Sequence, residues 1–87
     1  MKIAICDDDL QELNQISSCI DEYRRERKVP LTYEAFRSAE ELVAKVSGGD
    51  YDILFLDILM PEINGMQAAH EIRAFNSRMK IVFLTSS

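Results

Sequence analysis

With 87 residues, 47% of them apolar and 29% charged, and a formal net charge of −5, the chain suits one small globular domain. The acidic balance argues against direct contact with nucleic acid, whose phosphates need clustered Lys and Arg; the densest basic run, Arg24-Arg25-Glu26-Arg27-Lys28, reads as a solvated helix end. No apolar run is long enough to cross a bilayer, and the short apolar start runs into three aspartates, unlike a signal peptide.

Lys2–Cys6 is a continuous apolar run, the pattern of a strand buried on both faces. A helix follows from about Asp9 to Arg27, with Leu10, Leu13, Ile16, Ile20 and Tyr23 at helical spacing and Pro30 beyond it as a stop. Leu31–Phe36 is more polar and reads as an edge strand. Ser38-Ala39-Glu40-Glu41 is a capping box, so a second helix spans Ala39 to about Val46, turning Leu42, Val43 and Val46 inward and ending at Gly48-Gly49. Asp52–Leu56 is a third strand, and Pro61 and Asn64-Gly65 shape the loop after it. The third helix covers about Met66–Phe75, with Met66, Ala69, Ile72 and Phe75 as its inner face, and Lys80–Leu84 is the fourth strand.

The order βαβαβαβ implies a parallel sheet with right-handed crossovers. Only Ser86 and Ser87 follow the last strand. A natural domain rarely ends on an uncovered apolar strand, so a fragment of a longer protein is expected, and Ile81–Leu84 is expected to self-associate as a bare edge. Cys6 and Cys19 have neither zinc spacing nor a CxxC pattern; they read as reduced core or near-core thiols, which points to the cytosol. His70, the only histidine, falls on a polar-facing helical position and reads as exposed.

Chemistry gathers at three strand ends. Ile3-Ala4-Ile5-Cys6 ends in Asp7-Asp8-Asp9, Ile53-Leu54-Phe55-Leu56 in Asp57, and Ile81-Val82-Phe83-Leu84 in Thr85. Open parallel sheets bind ligands at the carboxyl ends of their strands. Asp8 and Asp57 can supply carboxylates to Mg²⁺, with Asp7 in support and the backbone carbonyl of Leu59 as a further oxygen. A carboxylate beside the metal can attack phosphorus, and Thr85 can hydrogen-bond a phosphoryl oxygen. Asp9 reads equally as an N-cap of the first helix.

Ile5-Cys6-Asp7-Asp8, Phe55-Leu56-Asp57-Ile58-Leu59-Met60-Pro61-Glu62-Ile63-Asn64-Gly65 and Phe83-Leu84-Thr85-Ser86 together resemble the receiver domain of two-component response regulators, over the whole chain. The resemblance implies a flavodoxin-like doubly wound sheet of order 2-1-3-4 over residues 1–87. It implies that Asp57 is the phosphoacceptor for a sensor histidine kinase, that Asp7 and Asp8 hold Mg²⁺, one directly and one largely through water, and that Thr85 is the switch hydroxyl. It also implies a cytoplasmic signalling module rather than an enzyme, with control of transcription through an output domain, in the style of the LytTR class. Receiver domains add a fifth strand carrying a Lys, and two more helices, none of which this chain contains; Lys80 opens the fourth strand at the opposite end. Two other readings stand beside it. One is a haloacid-dehalogenase-type phosphohydrolase built on Asp7-x-Asp9, which lacks the usual Thr or Val at Gln11. The other is an interaction module whose acids are structural.

Overall fold

The structure is a computed structural model, and it describes residues 1–46, 50–58 and 65–84. The elements are β1 (Lys2–Cys6), α1 (Leu10–Arg27), β2 (Thr32–Phe36), α2 (Ala39–Val46), β3 (Ile53–Asp57), α3 (Gly65–Phe75) and β4 (Lys80–Leu84). All strand pairs are parallel, in the order β2-β1-β3-β4. This is the flavodoxin-like arrangement: the chain adds β2 on one side of β1, then returns to add β3 and β4 on the other. The reversal of direction between β1 and β3 leaves a crevice at their carboxyl ends.

Alternation along the strands divides the core into two layers. Ala4, Cys6, Leu54 and Leu56 point to the side covered by α2 and α3, where they meet Leu42, Val46 and Ile72. Ile3, Ile5, Ile53 and Phe55 point to the side covered by α1, where Leu13 and Ile20 meet them. Truncating a buried residue of the first layer, such as Leu54, to Ala should cost about 2–5 kcal/mol.

Local signals explain the ends of the helices. Asp9 caps α1 through an N–H···O bond of 2.9 Å from Gln11 to its Oδ1. Lys28 ends the helix in the left-handed region at φ 53°, its N–H donating to the Arg24 carbonyl at 2.9 Å. The Ser38 hydroxyl accepts from the Glu41 amide at 3.2 Å and starts α2. Arg73 of α3 donates to the Met79 carbonyl and so fixes the approach to β4.

Three expectations from periodicity are corrected. Leu10 and Tyr23 share the face of α1 with Leu13 and Ile20 but are exposed. Leu10 is the first helical residue, and Tyr23 lies at the open mouth of a groove. Met66 and Phe75 of α3 are likewise exposed, while Ala68, Ala69 and Ile72 are buried. The adjacent alanines let the helix approach the sheet closely, so its contact strip runs along them. Cys19 is exposed rather than near the core, because the strip of α1 over the sheet is only as wide as Leu13, Ile16 and Ile20. Neither cysteine forms a disulfide, and His70 is exposed as expected.

The two faces of the sheet are not equally covered. On the α1 side an apolar groove of about 500 Å³ opens between Ile16, Ile20, Tyr23, Leu31, Phe55 and Leu84. β4 is the outer strand, with Val82 42% and Phe83 38% exposed. No described helix is long and apolar enough to cross a membrane.

Candidate functional site

Register decides which acids meet. Cys6 is level with Leu56 across the β1–β3 pair, so the residues that follow them, Asp7 and Asp57, emerge side by side. The third strand is shifted by one residue from the Asp52–Leu56 expected from sequence and runs to Asp57. Asp57 is 2% exposed and Asp7 fully buried, an unusual setting for carboxylates.

The backbone fixes Asp7 from two directions. Its N–H donates to the Phe36 carbonyl at 3.1 Å, extending the β1–β2 ladder by one bond. Its Oδ1 accepts from the Asp9 amide at 2.9 Å, which turns the chain out of β1 towards α1. Asp9, the second acid of the Asp7-x-Asp9 pair, caps α1 through its Oδ1.

Glu12, in the first turn of α1, joins the pair: one carboxylate oxygen from each of Asp7, Asp57 and Glu12 lies within 4.8 Å of the others. Two ionised carboxylates at that distance repel by on the order of 3 kcal/mol at an effective dielectric constant of about 20. Burial pushes the Asp7 carboxyl up to about 6; the facing Glu12 and the charge of Asp8 act in the same direction, and the Asp9 amide opposes them. The Cys6 thiol beneath is pushed up to about 12, first by burial and then by the charges of Asp7, Asp57 and Asp8, so it stays protonated.

Asp7 Oδ2 is buried and has no hydrogen-bond donor. A buried carboxylate oxygen without a donor, facing further carboxylates, is costly unless a cation or proton joins them. An all-carboxylate donor set suits a hard divalent cation such as Mg²⁺. The residues therefore fit such an ion.

Asp8, the other expected ligand, is half-exposed, and its carboxylate is outside the group of three. β4 ends at Leu84, the register partner of Asp57. Thr85, the Leu59 carbonyl, Gly48-Gly49 and the loop of Met60, Pro61 and Asn64 lie outside the described residues. Lys80 stands at the opposite end of the sheet, paired with Ile53. Glu12 was not singled out by sequence reasoning. The available signal was its spacing from Asp9, which matches a capping box and places a carboxylate in the first turn facing the strand ends.

The Response regulator receiver domain family matches residues 3–87. The response regulator protein TodT of Pseudomonas putida is 29% identical over 83 residues, covering 95% of this chain and 34% of TodT. The transcriptional regulatory protein CiaR of Streptococcus pneumoniae is 27% identical over 86 residues, covering 99% of this chain and 35% of CiaR. The chain thus spans about a third of the length of these curated relatives. The response regulator TrrA of Thermotoga maritima, solved in complex with Mg²⁺–BeF, is 31% identical over 99% of this chain and 70% of that one, with a TM-score of 0.75. TrrA solved in complex with the histidine kinase ThkA is 32% identical over 98% of this chain and 68% of that one, again with a TM-score of 0.75. With its four-stranded order and the acids at the β1–β3 crevice, the chain belongs to the response regulator receiver domain family of two-component signalling.

Proposed function

We propose that Asp57 accepts a phosphoryl group from a sensor histidine kinase, with Mg²⁺ held at the same edge, and that the modified state controls a transcription-regulating output domain in the cytoplasm. The observation that carries this reading is the convergence of buried Asp57 with Asp7, whose Oδ2 has no donor, at the crevice of the sheet. The Mg²⁺–BeF and kinase complexes of TrrA, and the transcriptional regulatory role of CiaR, support it by likeness.

In the reaction, an Asp57 carboxylate oxygen attacks phosphorus. A P–O bond forms as the P–N bond of the kinase phosphohistidine breaks; the imidazole nitrogen keeps the electron pair and takes up a proton. Asp8 and Asp57 would hold the cation, with Asp7 in support and the backbone carbonyl of Leu59 as a further oxygen. The bound ion supplies neutralisation of charge on the transferring oxygens. Asp7 stays oriented because its Oδ1 is bonded to the Asp9 amide. The Thr85 hydroxyl hydrogen-bonds a phosphoryl oxygen and shifts the equilibrium between two surface states. The chain is an acceptor rather than an enzyme, and turnover of a phosphate ester would contradict that.

The β4 edge pairs with a second copy of the chain. One side of β4 bonds to β3, while Val82 and Phe83 are exposed on its two faces. Val82→Lys should shift the protein to monomer in light scattering; a wild type that is monomeric at high concentration contradicts the pairing.

Kinase-dependent, hydroxylamine-labile labelling tests the main reading. It should vanish in Asp57→Asn. Retained label would move the site to another acid, with Asp8 the first suspect.

A further inference from the structure

We propose that pairing of two β4 edges completes the phosphoacceptor site in trans: Lys80 of each chain stands at the acid edge of the other and neutralises charge on the phosphoryl group at Asp57. This rests on the reading of Asp57 as the acceptor and of β4 as a self-pairing edge. Within one chain Lys80 cannot do so, because it opens β4 level with Ile53, at the opposite end of the sheet from Asp57. It is exposed, and its ammonium forms no ion pair among the described residues.

The backbone sets how two β4 edges meet. The Lys80 N–H donates to the Asp52 carbonyl at 3.0 Å, and the Leu84 carbonyl accepts from the Ile58 N–H at 3.3 Å, both on the β3 side. Backbone groups alternate in direction along a strand, so those of Ile81 and Phe83 point to the bare side. A twofold axis normal to the sheet joins the two edges antiparallel and keeps the same face up. Centred on Val82, it sets the outward groups of Ile81 against those of the partner's Phe83, the doubly bonded pair of an antiparallel ladder. The same register places the partner's Lys80 opposite Leu84.

Leu84 is in turn the register partner of Asp57. The partner's Lys80 therefore lies level with Asp57, two strand spacings or about 10 Å away between Cα atoms. The four-carbon stem of the lysine and the shorter arm of the aspartate together span that gap. The two also share a face. Ile53 and Phe55 point to the α1 side, so their level neighbours Lys80 and Val82 do too, and Leu84 and Asp57 follow by alternation. Charge favours this register, because each end of the ladder brings an ammonium towards an edge where Asp7, Asp57 and Glu12 converge.

The test is complementation between two defective chains, labelled with acetyl phosphate and Mg²⁺. Lys80→Ala should take label about ten-fold more slowly than wild type, or slower still. Asp57→Asn should take none. Unfolded in denaturant, mixed in equal amounts and refolded together, the two chains form mixed dimers in which Asp57 of the first meets Lys80 of the second. Random pairing puts about half of the Lys80→Ala chains in such dimers, so their early label, read by mass, should recover to about half the wild-type level. Light scattering of each sample reads the pairing itself. Should Lys80→Ala not fold, Lys80→Gln, which keeps a polar chain without the charge, gives the same readout. Dimers of Lys80→Ala that label as fast as wild type remove the Lys80 contribution alone. Slow labelling that the mixture does not restore overturns its action in trans. A monomeric wild type removes the pairing and the proposal with it, and a dimeric wild type without label removes both Asp57 as acceptor and the proposal.

Discussion

Asp52 and Asp57 flank the same short strand, one just before it and one at its end, and their surroundings are opposite. Asp52 is exposed, and three of its polar groups are matched. Its Oδ2 accepts from the Lys2 amide at 2.8 Å, its N–H donates to the Lys2 carbonyl at 2.8 Å, and its carbonyl accepts from the Lys80 amide at 3.0 Å. Asp57 is buried beside two further carboxylates, one of which carries a buried oxygen without a donor. One end of the sheet uses an aspartate to close the fold. The other gathers carboxylates into an arrangement that fits a positive ligand. Acid content alone says nothing about function; what an acid faces does.

The sharpest way to break this comparison is chemical. Asp57→Asn should lose all hydroxylamine-labile label, while Asp52→Asn, at the other end of the same strand, should retain it. Loss in both, or in neither, removes the distinction.

A second test is the response to metal. At a Mg²⁺ concentration a hundred times its dissociation constant, unfolding should become harder by about 2.7 kcal/mol, and EDTA should reverse the gain. Asp7→Asn should abolish the gain and Asp52→Asn leave it intact, read by denaturant unfolding with and without Mg²⁺.

The third is pH. Asp7 is raised to about 6 in the folded chain against about 3.9 when unfolded. Between those values the folded state holds more protons than the unfolded state, so stability falls as pH rises from about 4 to about 6. The loss should be on the order of 3 kcal/mol in metal-free buffer and should disappear with saturating Mg²⁺. Asp7→Asn should flatten the profile; a profile unchanged by the substitution would show that another group titrates.

The smallest effect carries opposite signs at the two ends. Without metal, Asp7→Asn should stabilise the fold by about 1 kcal/mol, because it removes a buried like charge and adds a donor. Asp52→Asn should destabilise it by about 1 kcal/mol, since the Lys2 amide loses a charged acceptor. Equal signs would mean that the acid edge is already satisfied.

Much of this architecture was legible in the residues. The bounds of β1, α2 and β4 match those read from apolar runs and from the Ser38 cap, because those signals are local. The strand order followed from the alternation of elements and the resemblance to receiver domains. Burial within helices was less legible. Periodicity groups Leu10 with Leu13, and Phe75 with Ile72, but how wide a strip is covered depends on what lies opposite, which is tertiary information. At the acid edge, Asp7 and Asp57 stood out as strand-end residues. Glu12 did not, because its convergence depends on the β1–β3 register and on the Asp7–Asp9 turn that redirects it.

The central claim is that Asp57 is the group that bonds to phosphorus. The most direct measurement is to incubate the chain with acetyl phosphate and Mg²⁺, reduce any acyl phosphate with borohydride, and locate the resulting homoserine by tandem mass spectrometry. This reads position whatever the yield. The account predicts homoserine in place of Asp57, formed only when Mg²⁺ is present. Homoserine at Asp7, Asp8 or Asp52, or formation unaffected by EDTA, would contradict it.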